Sequence, residues 1–224
     1  MPMKIPSDKD YCPLCSSSEI DVFFADKYRQ YLSCQCCELV FVPRKYWLST
    51  EDEKALYDLH KNDSKDMGYR RFLSRLSIPL LKKLEKLGTR RKGLDFGCGP
   101  GPILSALFEE QGHEMDLYDP FYYNNPEVFQ KKYDFICATE VMEHLGSPDR
   151  EISALFAMLN QESWLGIMTK LVIDKHAFST WHYIRDRTHI CFYSKRTFAY
   201  LAQRFNAELS FVGDDVILLK KKKD

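Results

Sequence analysis

Two sets of residues in this 224-residue chain have types and spacings suited to chemistry. The first is Gly93-Leu94-Asp95-Phe96-Gly97-Cys98-Gly99-Pro100-Gly101: a short apolar strand, an acid near its end, and glycines at every second position. A helical run over 103–110 follows at once. Strand, glycine turn and helix present backbone N–H groups at a helix N-terminus to a nucleotide-like ligand. A Cβ in such a turn would block both the tight bend and the ligand's close approach. Gly97-x-Gly99-x-Gly101 is neither the GxGxxG of dinucleotide folds nor the GxxxxGK[ST] of phosphate loops. The second set is Cys12-Pro13-Leu14-Cys15 and Cys34-Gln35-Cys36-Cys37, two CxxC knuckles separated by eighteen residues. Cys12, Cys15, Cys34 and Cys37 can place four thiolates at the corners of a closed structural Zn²⁺ site. Cys36 competes with Cys37 as the fourth ligand, and Cys37 is favoured because its spacing mirrors the first pair. Redox dithiols and disulfides are the rival readings. Disulfides suit secreted chains, and Cys36, Cys98, Cys137 and Cys191 form no knuckle.

Further acids and histidines follow the glycine turn. Residues 114–119 read as a second strand ending in Asp119, where a carboxylate can accept two hydrogen bonds from a ribose diol. Asp116, inside that strand, reads as an exposed face residue. The next strand, 133–138, is nearly all apolar, as a parallel strand covered on both faces should be. It runs into Thr139-Glu140-Val141-Met142-Glu143-His144-Leu145. An insertion over 170–190 is rich in Trp181, His182, Tyr183, Arg185, Arg187 and His189. Such segments lie over the carboxyl ends of strands, where substrate loops gather.

Asp95-x-Gly97-x-Gly99-x-Gly101 resembles motif I of the class I S-adenosylmethionine (SAM) methyltransferases. Residues 139–145 resemble the EVxEHL segment of small-molecule methyltransferases of the ubiquinone pathway and the type 11 and type 12 groups. Asp186-Arg187-Thr188-His189 resembles the D-x-T-H of the same relatives. The resemblance covers roughly 89–220, with the ribbon at 12–42. It implies SAM as cofactor, with Gly97, Cys98, Gly99 and Gly101 passing over the methionine moiety and Asp95 receiving its ammonium group. Asp119 and Pro120 then meet the ribose, and Glu140 completes the cofactor site. His144, His189 and Glu143 are the candidate catalytic residues, since histidine can accept a proton near neutral pH. Glu140, Glu143, His144 and His189 also match an E-x-x-E-H plus distant His set that binds a divalent ion in some O-methyltransferases. Such an ion would lower the pKa of a bound hydroxyl. The alternative is that Glu140 and His144 hydrogen-bond the cofactor or helix ends. One departure stands out: only residues 120–132 separate the second strand from the next. The family's third strand is therefore reduced or missing, and the acid that reads the adenine amino group has no counterpart. Phe121, Tyr122 or Tyr123 stacks on adenine instead, or forms a packed aromatic loop.

The elements that must position these groups are legible in outline. Runs at 22–24, 31–32 and 39–42 read as ribbon strands, ended by Pro43. A module of this size has too little core to stand without a staple. Ser49 or Thr50 caps a helix with acids in its first turn, running to about residue 60. Apolar residues at three- and four-residue steps from Phe72 to Leu87 predict an amphipathic helix. Pro79 predicts a kink or a split there, and Gly88 its end. This stretch links the ribbon to the catalytic domain and covers the cofactor cleft. A helix from Pro148, a strand at 164–168, a Ser194-capped helix over 196–205 and strands at 207–212 and 216–220 complete the pattern. The expected fold is α/β: a Rossmann-like class I methyltransferase sheet with its last strand antiparallel, preceded by a small zinc ribbon and a helical linker. The expected divisions are 1–43, 44–88 and 89–224.

Composition narrows the function. Hydrophobic residues at 45% and charged residues at 29% are those of a soluble globular protein. No apolar run is long enough to span a membrane, and residues 1–10 lack an apolar signal core, so a cytoplasmic protein is expected. Formal net charge is zero, which gives no global pull toward nucleic acid. Residues 65–92 nevertheless carry ten Lys and Arg against Asp66 and Glu85, read either as a solvated helix face or as a phosphate-facing surface. Lys220–Lys223 reads as a solvated tail. Zinc ribbons precede this fold both in deoxysugar C-methyltransferases and in some rRNA guanine methyltransferases. No N/D-PP-Y/F segment follows the fourth strand, which argues against methylation of a base amino group. The favoured reading is a methyltransferase acting on a small or carrier-bound acceptor, at oxygen or carbon. RNA as acceptor and an inactive SAM-binding adaptor are the alternatives. The sequence carries no signal of oligomeric state.

Overall fold

A computed structural model describes residues 11–59, 66–85 and 90–223. The expected helix ends near 60 and at Gly88, and the basic residues Lys65 and Lys86, lie outside these.

The cysteine knuckles carry three antiparallel strands, β1 (Ile20–Ala25), β2 (Gln30–Cys34) and β3 (Val40–Phe41). A fourth strand, β8 (Cys191–Phe192), joins from far down the chain, with Val40 opposite Phe192 and Phe41 opposite Cys191. Helix α1 (Thr50–Tyr57) starts at Ser49, whose hydroxyl accepts from the Asp52 amide, with Glu51, Asp52 and Glu53 in its first turn. Helix α2 (Met67–Leu84) is a single helix capped by Asp66, with Pro79 inside it. The expected split at Pro79 does not occur, because Leu73, Leu76, Leu80 and Leu84 keep one buried stripe on both sides of it. That packing outweighs the local cost of the proline.

The second sheet holds β4 (Lys92–Phe96), β5 (Glu114–Tyr118), β6 (Tyr133–Thr139), β7 (Leu159–Met168), β9 (Ala207–Val212) and β10 (Val216–Lys221). Their order is β5-β4-β6-β7-β10-β9, with β10 antiparallel to both neighbours. Helices α3 (Ile103–Glu109), α4 (Pro148–Met158), α5 (Lys175–Thr180) and α6 (Lys195–Arg204) complete the fold. No strand lies outside β5 among the described residues; a short 3-10 turn, Pro126–Gln130, stands where a strand and its helices would.

Alternation along each strand divides the core. Phe135, Cys137, Trp164, Met168, Val216 and Leu218 pack with α2 and α3. Ile136, Ala138, Leu165, Ile167, Ile217 and Leu219 pack in one cluster with α4, α6 and the ribbon's Leu14, Tyr31 and Phe41. The ribbon therefore shares its hydrophobic core with the large sheet. On the other face α2 meets bare backbone: a Cβ on Gly166 would stand 3.0 Å from Leu80 and 3.1 Å from Leu76.

Much of the basic segment is paired with carboxylates. Arg70 meets Glu110 at 2.6 Å, Arg90 meets Glu114 at 3.4 Å, Arg91 meets Asp134 at 3.9 Å and Lys92 meets Asp116 at 3.4 Å. Arg75 pairs with the buried Asp215. The expected lysine tail is also largely structural: Lys220 and Lys221 belong to β10, Lys220 pairs with Glu162, and Lys221 donates to the Phe156 and Leu159 carbonyls. Among the described residues no helix is long and apolar enough to cross a membrane.

Candidate active site

A cavity of about 1060 Å³ opens at the carboxyl ends of β4, β5 and β6. One end is built by the glycine turn. Gly97 has φ of +74°, and a Cβ on it would stand 2.4 Å from Val141, so glycine is required twice over. The Gly97 and Cys98 amides donate to the Tyr118 carbonyl at 2.7 and 3.2 Å, and the Gly99 amide donates to Asp119 Oδ2 at 3.0 Å. Asp119 Oδ1 accepts from the Phe121 and Tyr122 amides at 2.8 and 3.1 Å. Three backbone donors thus fix a carboxylate that lines the cavity and keeps a lone pair free for a ligand. Cys98 and Pro120 line the same end. Burial, then the charges of Asp95 and Asp119, push the Cys98 thiol up, so it offers no thiolate.

Asp95 and Gly101 do not reach the cavity wall. The Asp95 carboxyl is buried and accepts from Ser105 Oγ at 3.0 Å, tying β4 to α3. Burial pushes it up to about 7. Its geometry is that of a strand–helix tie.

The other end gathers the histidines. Glu140 lines it with φ of +52°, its amide bonded to the Met168 carbonyl at 2.8 Å. Its Oε1 is buried without a partner in the protein, and burial, then Glu143, pushes the carboxyl up to about 8. His144 Nδ1 lies 3.1 Å from the Thr188 carbonyl and His189 Nδ1 lies 2.8 Å from the Tyr183 carbonyl. A carbonyl only accepts, so both rings carry their proton on Nδ1 and leave Nε2 as the acceptor. The rings meet edge to face at 4.8 Å. Burial, then His144, keeps His189 below its ordinary value. Glu143 is wholly buried behind them and accepts from Thr169 Oγ1 at 2.9 Å and from the Tyr183 hydroxyl. Its carboxylate thus holds Tyr183, which lines the cavity together with Lys170, Asp186 and His182.

Glu143, His144 and His189 offer donor atoms within 4.8 Å of one another. Two histidines anchored through Nδ1–H are a normal outer support for metal ligands, so these three residues fit a divalent ion. Glu140 stands outside that group, and both Glu143 oxygens already accept from Tyr183 and Thr169. The four-residue set expected from the sequence is a three-residue set in the structure.

Some of this wall was not singled out in the sequence. Tyr57 and Glu53 of α1, Tyr69 and Phe72 of α2, and Lys170 all line the cavity. Tyr57 donates to Glu53 at 2.7 Å and stands edge-on to His144 at 5.4 Å. The tyrosines at 57 and 69 sit near facing ends of two helices, and periodicity alone cannot say which end overhangs a cleft.

The four knuckle thiols form a separate cluster, all within 4.8 Å of one another. Cys12 and Cys37 sulfurs are 3.5 Å apart and Cys15 and Cys34 sulfurs 3.4 Å apart. Thiolates around tetrahedral zinc stand about 3.8 Å apart, from Zn–S bonds of about 2.3 Å. The donor set fits. Cys36 is exposed and outside the cluster, which leaves Cys37 as the fourth member.

A parallel sheet with one antiparallel strand near its end, and a glycine turn hydrogen-bonded to a strand-end carboxylate on one cavity wall, are the marks of a Rossmann-like class I SAM-dependent methyltransferase. The methyltransferase domain profile matches residues 69–210, and the chain belongs to that family. Solved structures agree on the fold. An O-methyltransferase family protein from Burkholderia thailandensis is 12% identical with TM-score 0.52, over 77% of this chain and 63% of that one. The present chain thus spans less than two thirds of that relative. The 1,6-didemethyltoxoflavin-N1-methyltransferase of Burkholderia thailandensis, bound to 1,6-didemethyltoxoflavin and S-adenosylhomocysteine, is 14% identical with TM-score 0.50, over 89% and 98%. The plantazolicin methyltransferase BpumL, in complex with a monoazolic desmethylPZN analog and S-adenosylhomocysteine, is 15% identical with TM-score 0.50, over 77% and 90%. No curated protein matches the chain.

Proposed function

We propose that the protein transfers the methyl group of SAM to oxygen or carbon of a small or carrier-bound acceptor. The observation that carries this is a single cavity with two unlike ends: backbone donors and Asp119 at one, and Glu140, His144, His189, Tyr183 and Lys170 at the other. The turn at Gly97–Gly99 receives the methionine moiety, and the Asp119 carboxylate accepts from the ribose hydroxyls. SAM supplies the electrophilic methyl group. The chain's part is alignment, exclusion of water and removal of a proton. His189 Nε2 or His144 Nε2 takes that proton from the acceptor as its lone pair displaces sulfur from the methyl carbon. Tyr57 and Phe121, 5.7 Å apart, both line the cleft. A divalent ion at Glu143, His144 and His189 would lower the pKa of a bound hydroxyl there. Zinc held by Cys12, Cys15, Cys34 and Cys37 is structural, since no ligand position is left open.

The pairing of Arg70, Arg75, Arg90, Arg91 and Lys92 with carboxylates supports a small acceptor over RNA, because paired cations release few counterions on binding phosphates. The unpartnered Glu140 oxygen in the cleft supports a working site over an inactive adaptor. Titration calorimetry with S-adenosylhomocysteine tests the cofactor reading: binding is expected, and Asp119→Asn should weaken it about tenfold or more, the loss of hydrogen bonds to a charged acceptor. No heat with either SAM or its demethylated product would overturn it.

A further inference from the structure

Arg29 lies in the turn between β1 and β2, on the cysteine ribbon, yet it is only 5% exposed. Its guanidinium faces the acceptor loop of the large domain. Nη2 donates to the Ile184 carbonyl at 2.9 Å and to the Asp186 carbonyl at 2.8 Å, and Nη1 donates to the Arg187 carbonyl at 3.2 Å. Nε donates to the Tyr31 hydroxyl at 2.9 Å, which in turn donates to Asp26 Oδ2 at 2.9 Å. Asp26 Oδ1 accepts from the Tyr28 and Arg29 amides at 2.7 and 2.8 Å. One planar fork therefore grips three carbonyls of a single loop, and its own stem is braced, through Tyr31, by the half-buried Asp26 of the ribbon. A buried cation is tolerated only when its donors are satisfied in this way.

The gripped loop carries the acceptor end of the cleft. Tyr183 precedes the held carbonyls and His189 follows them, and the His189 ring is oriented by its Nδ1–H bond to the Tyr183 carbonyl. The His144 ring hangs from the Thr188 carbonyl in the same loop. Beyond His189, the Ile190 amide donates to the Glu143 carbonyl and the Ile190 carbonyl accepts from the Val42 amide, both at 2.8 Å. The ribbon thus holds this loop from both sides: through Arg29 before His189 and through β3 after it.

We propose that Arg29 is a positioning residue: through three loop carbonyls the cysteine ribbon sets the orientation of His189, His144 and Tyr183 at the acceptor end of the methyl-transfer cleft. The ribbon is then a strut of the active site. The catalytic consequence rests on the methyltransferase reading above; the mechanical coupling does not. Lysine at this position keeps the charge but has no fork, so it can reach one or two carbonyls and not all three.

The test is amide hydrogen exchange on the full-length, metal-loaded protein, with S-adenosylhomocysteine affinity measured beside it. Arg29→Met should speed exchange over residues 184–190 by about tenfold or more, the loss of hydrogen bonds to a charged donor. Exchange in β4 and β6 and affinity for S-adenosylhomocysteine should stay at the wild-type level. The slowly exchanging His189 Nδ1–H imidazole proton should be lost from the NMR spectrum, and Arg29→Lys should restore it in part. Exchange at the wild-type rate with the imidazole proton intact overturns the proposal. So does an increase spread evenly over both sheets, which would mark Arg29 as a stability residue alone. If Arg29→Met fails to fold, Arg29→Lys decides: intermediate exchange confined to 184–190 supports the strut, and wild-type exchange sinks it. If the wild type binds no S-adenosylhomocysteine, the enzymatic reading falls while the exchange result still decides the coupling.

Discussion

Two clusters in this molecule offer metal-ligand side chains at close quarters, and they differ in what else those side chains do. Cys12, Cys15, Cys34 and Cys37 sulfurs contact one another and, at Cys12, Cys15 and Cys37, nearby backbone amides. In the other cluster every member has a second task. Glu143 holds Tyr183 and Thr169, His144 anchors to Thr188 and His189 to Tyr183. A thiol set that meets only its own members and backbone amides has the make-up of a structural metal site. A carboxylate and two imidazoles with other partners keep their geometry with or without an ion. The first group has the donor set of a metal site and little else to hold it; the second is organised by its protein partners already.

The sharpest way to break this contrast is to remove one member from each. Cys37→Ser should abolish stoichiometric zinc binding and lower stability by several kcal/mol, because metal-binding energy is folding energy at such sites. Cys36→Ser should change neither. Metal analysis and denaturant melts would show it, and a fully stable, metal-free Cys37→Ser protein would remove the distinction. Glu143→Ala should cost about 3 kcal/mol, since it strands the buried Tyr183 and Thr169 hydroxyls. Glu143→Gln should cost about 1 kcal/mol, one partner being retained. Both should leave S-adenosylhomocysteine affinity unchanged, because Glu143 does not line the cavity. Equal costs for the two variants would mean that the carboxylate is not holding those hydroxyls.

A gentler probe is pH. Burial raises the folded Asp95 carboxyl to about 7 from 3.8, so between these values the folded state holds a proton that the unfolded state has released. Its contribution is complete below about pH 4 and is lost as pH rises toward 7, with a slope of at most about 1.4 kcal/mol per unit. Glu140, raised to about 8, tilts stability the same way. Asp95→Asn should flatten the slope between pH 4 and 7, measured by urea midpoints. An unchanged slope would mean that Asp95 stays ionised in the fold.

The same contrast explains what the sequence could reveal. Sites made from neighbours in the chain were legible: the CxxC pairs, the glycine turn, Asp119 at a strand end and the Ser194 cap all follow from local spacing. The thirteen residues between Asp119 and Tyr133 are too few for a helix–strand–helix unit, so the missing third strand was legible too. What local spacing cannot encode is which distant groups meet. Asp95 carries the motif's acid, yet the sequence could not show that Ser105 turns it inward. Pro79 predicted a kink or a split, and the buried leucine stripe overrides the split. Arg29 sits in the polar turn of an otherwise apolar hairpin, and nothing near it in sequence points to carbonyls at 184–187. Two residues, Cys191 and Phe192, are too short a run to read as a strand at all.

That last pair has a consequence for how the protein comes into being. The ribbon's sheet has its outer partner in β8, which leaves the ribosome long after the knuckles have emerged. The knuckles can capture an ion early, but Tyr31, which packs on Phe178 and Phe192, waits uncovered until the residues around 190 have been synthesised. A nascent chain of this protein therefore carries a half-finished module while the 149 residues between Phe41 and Cys191 are made, and a fragment cut before Cys191 inherits the same open edge.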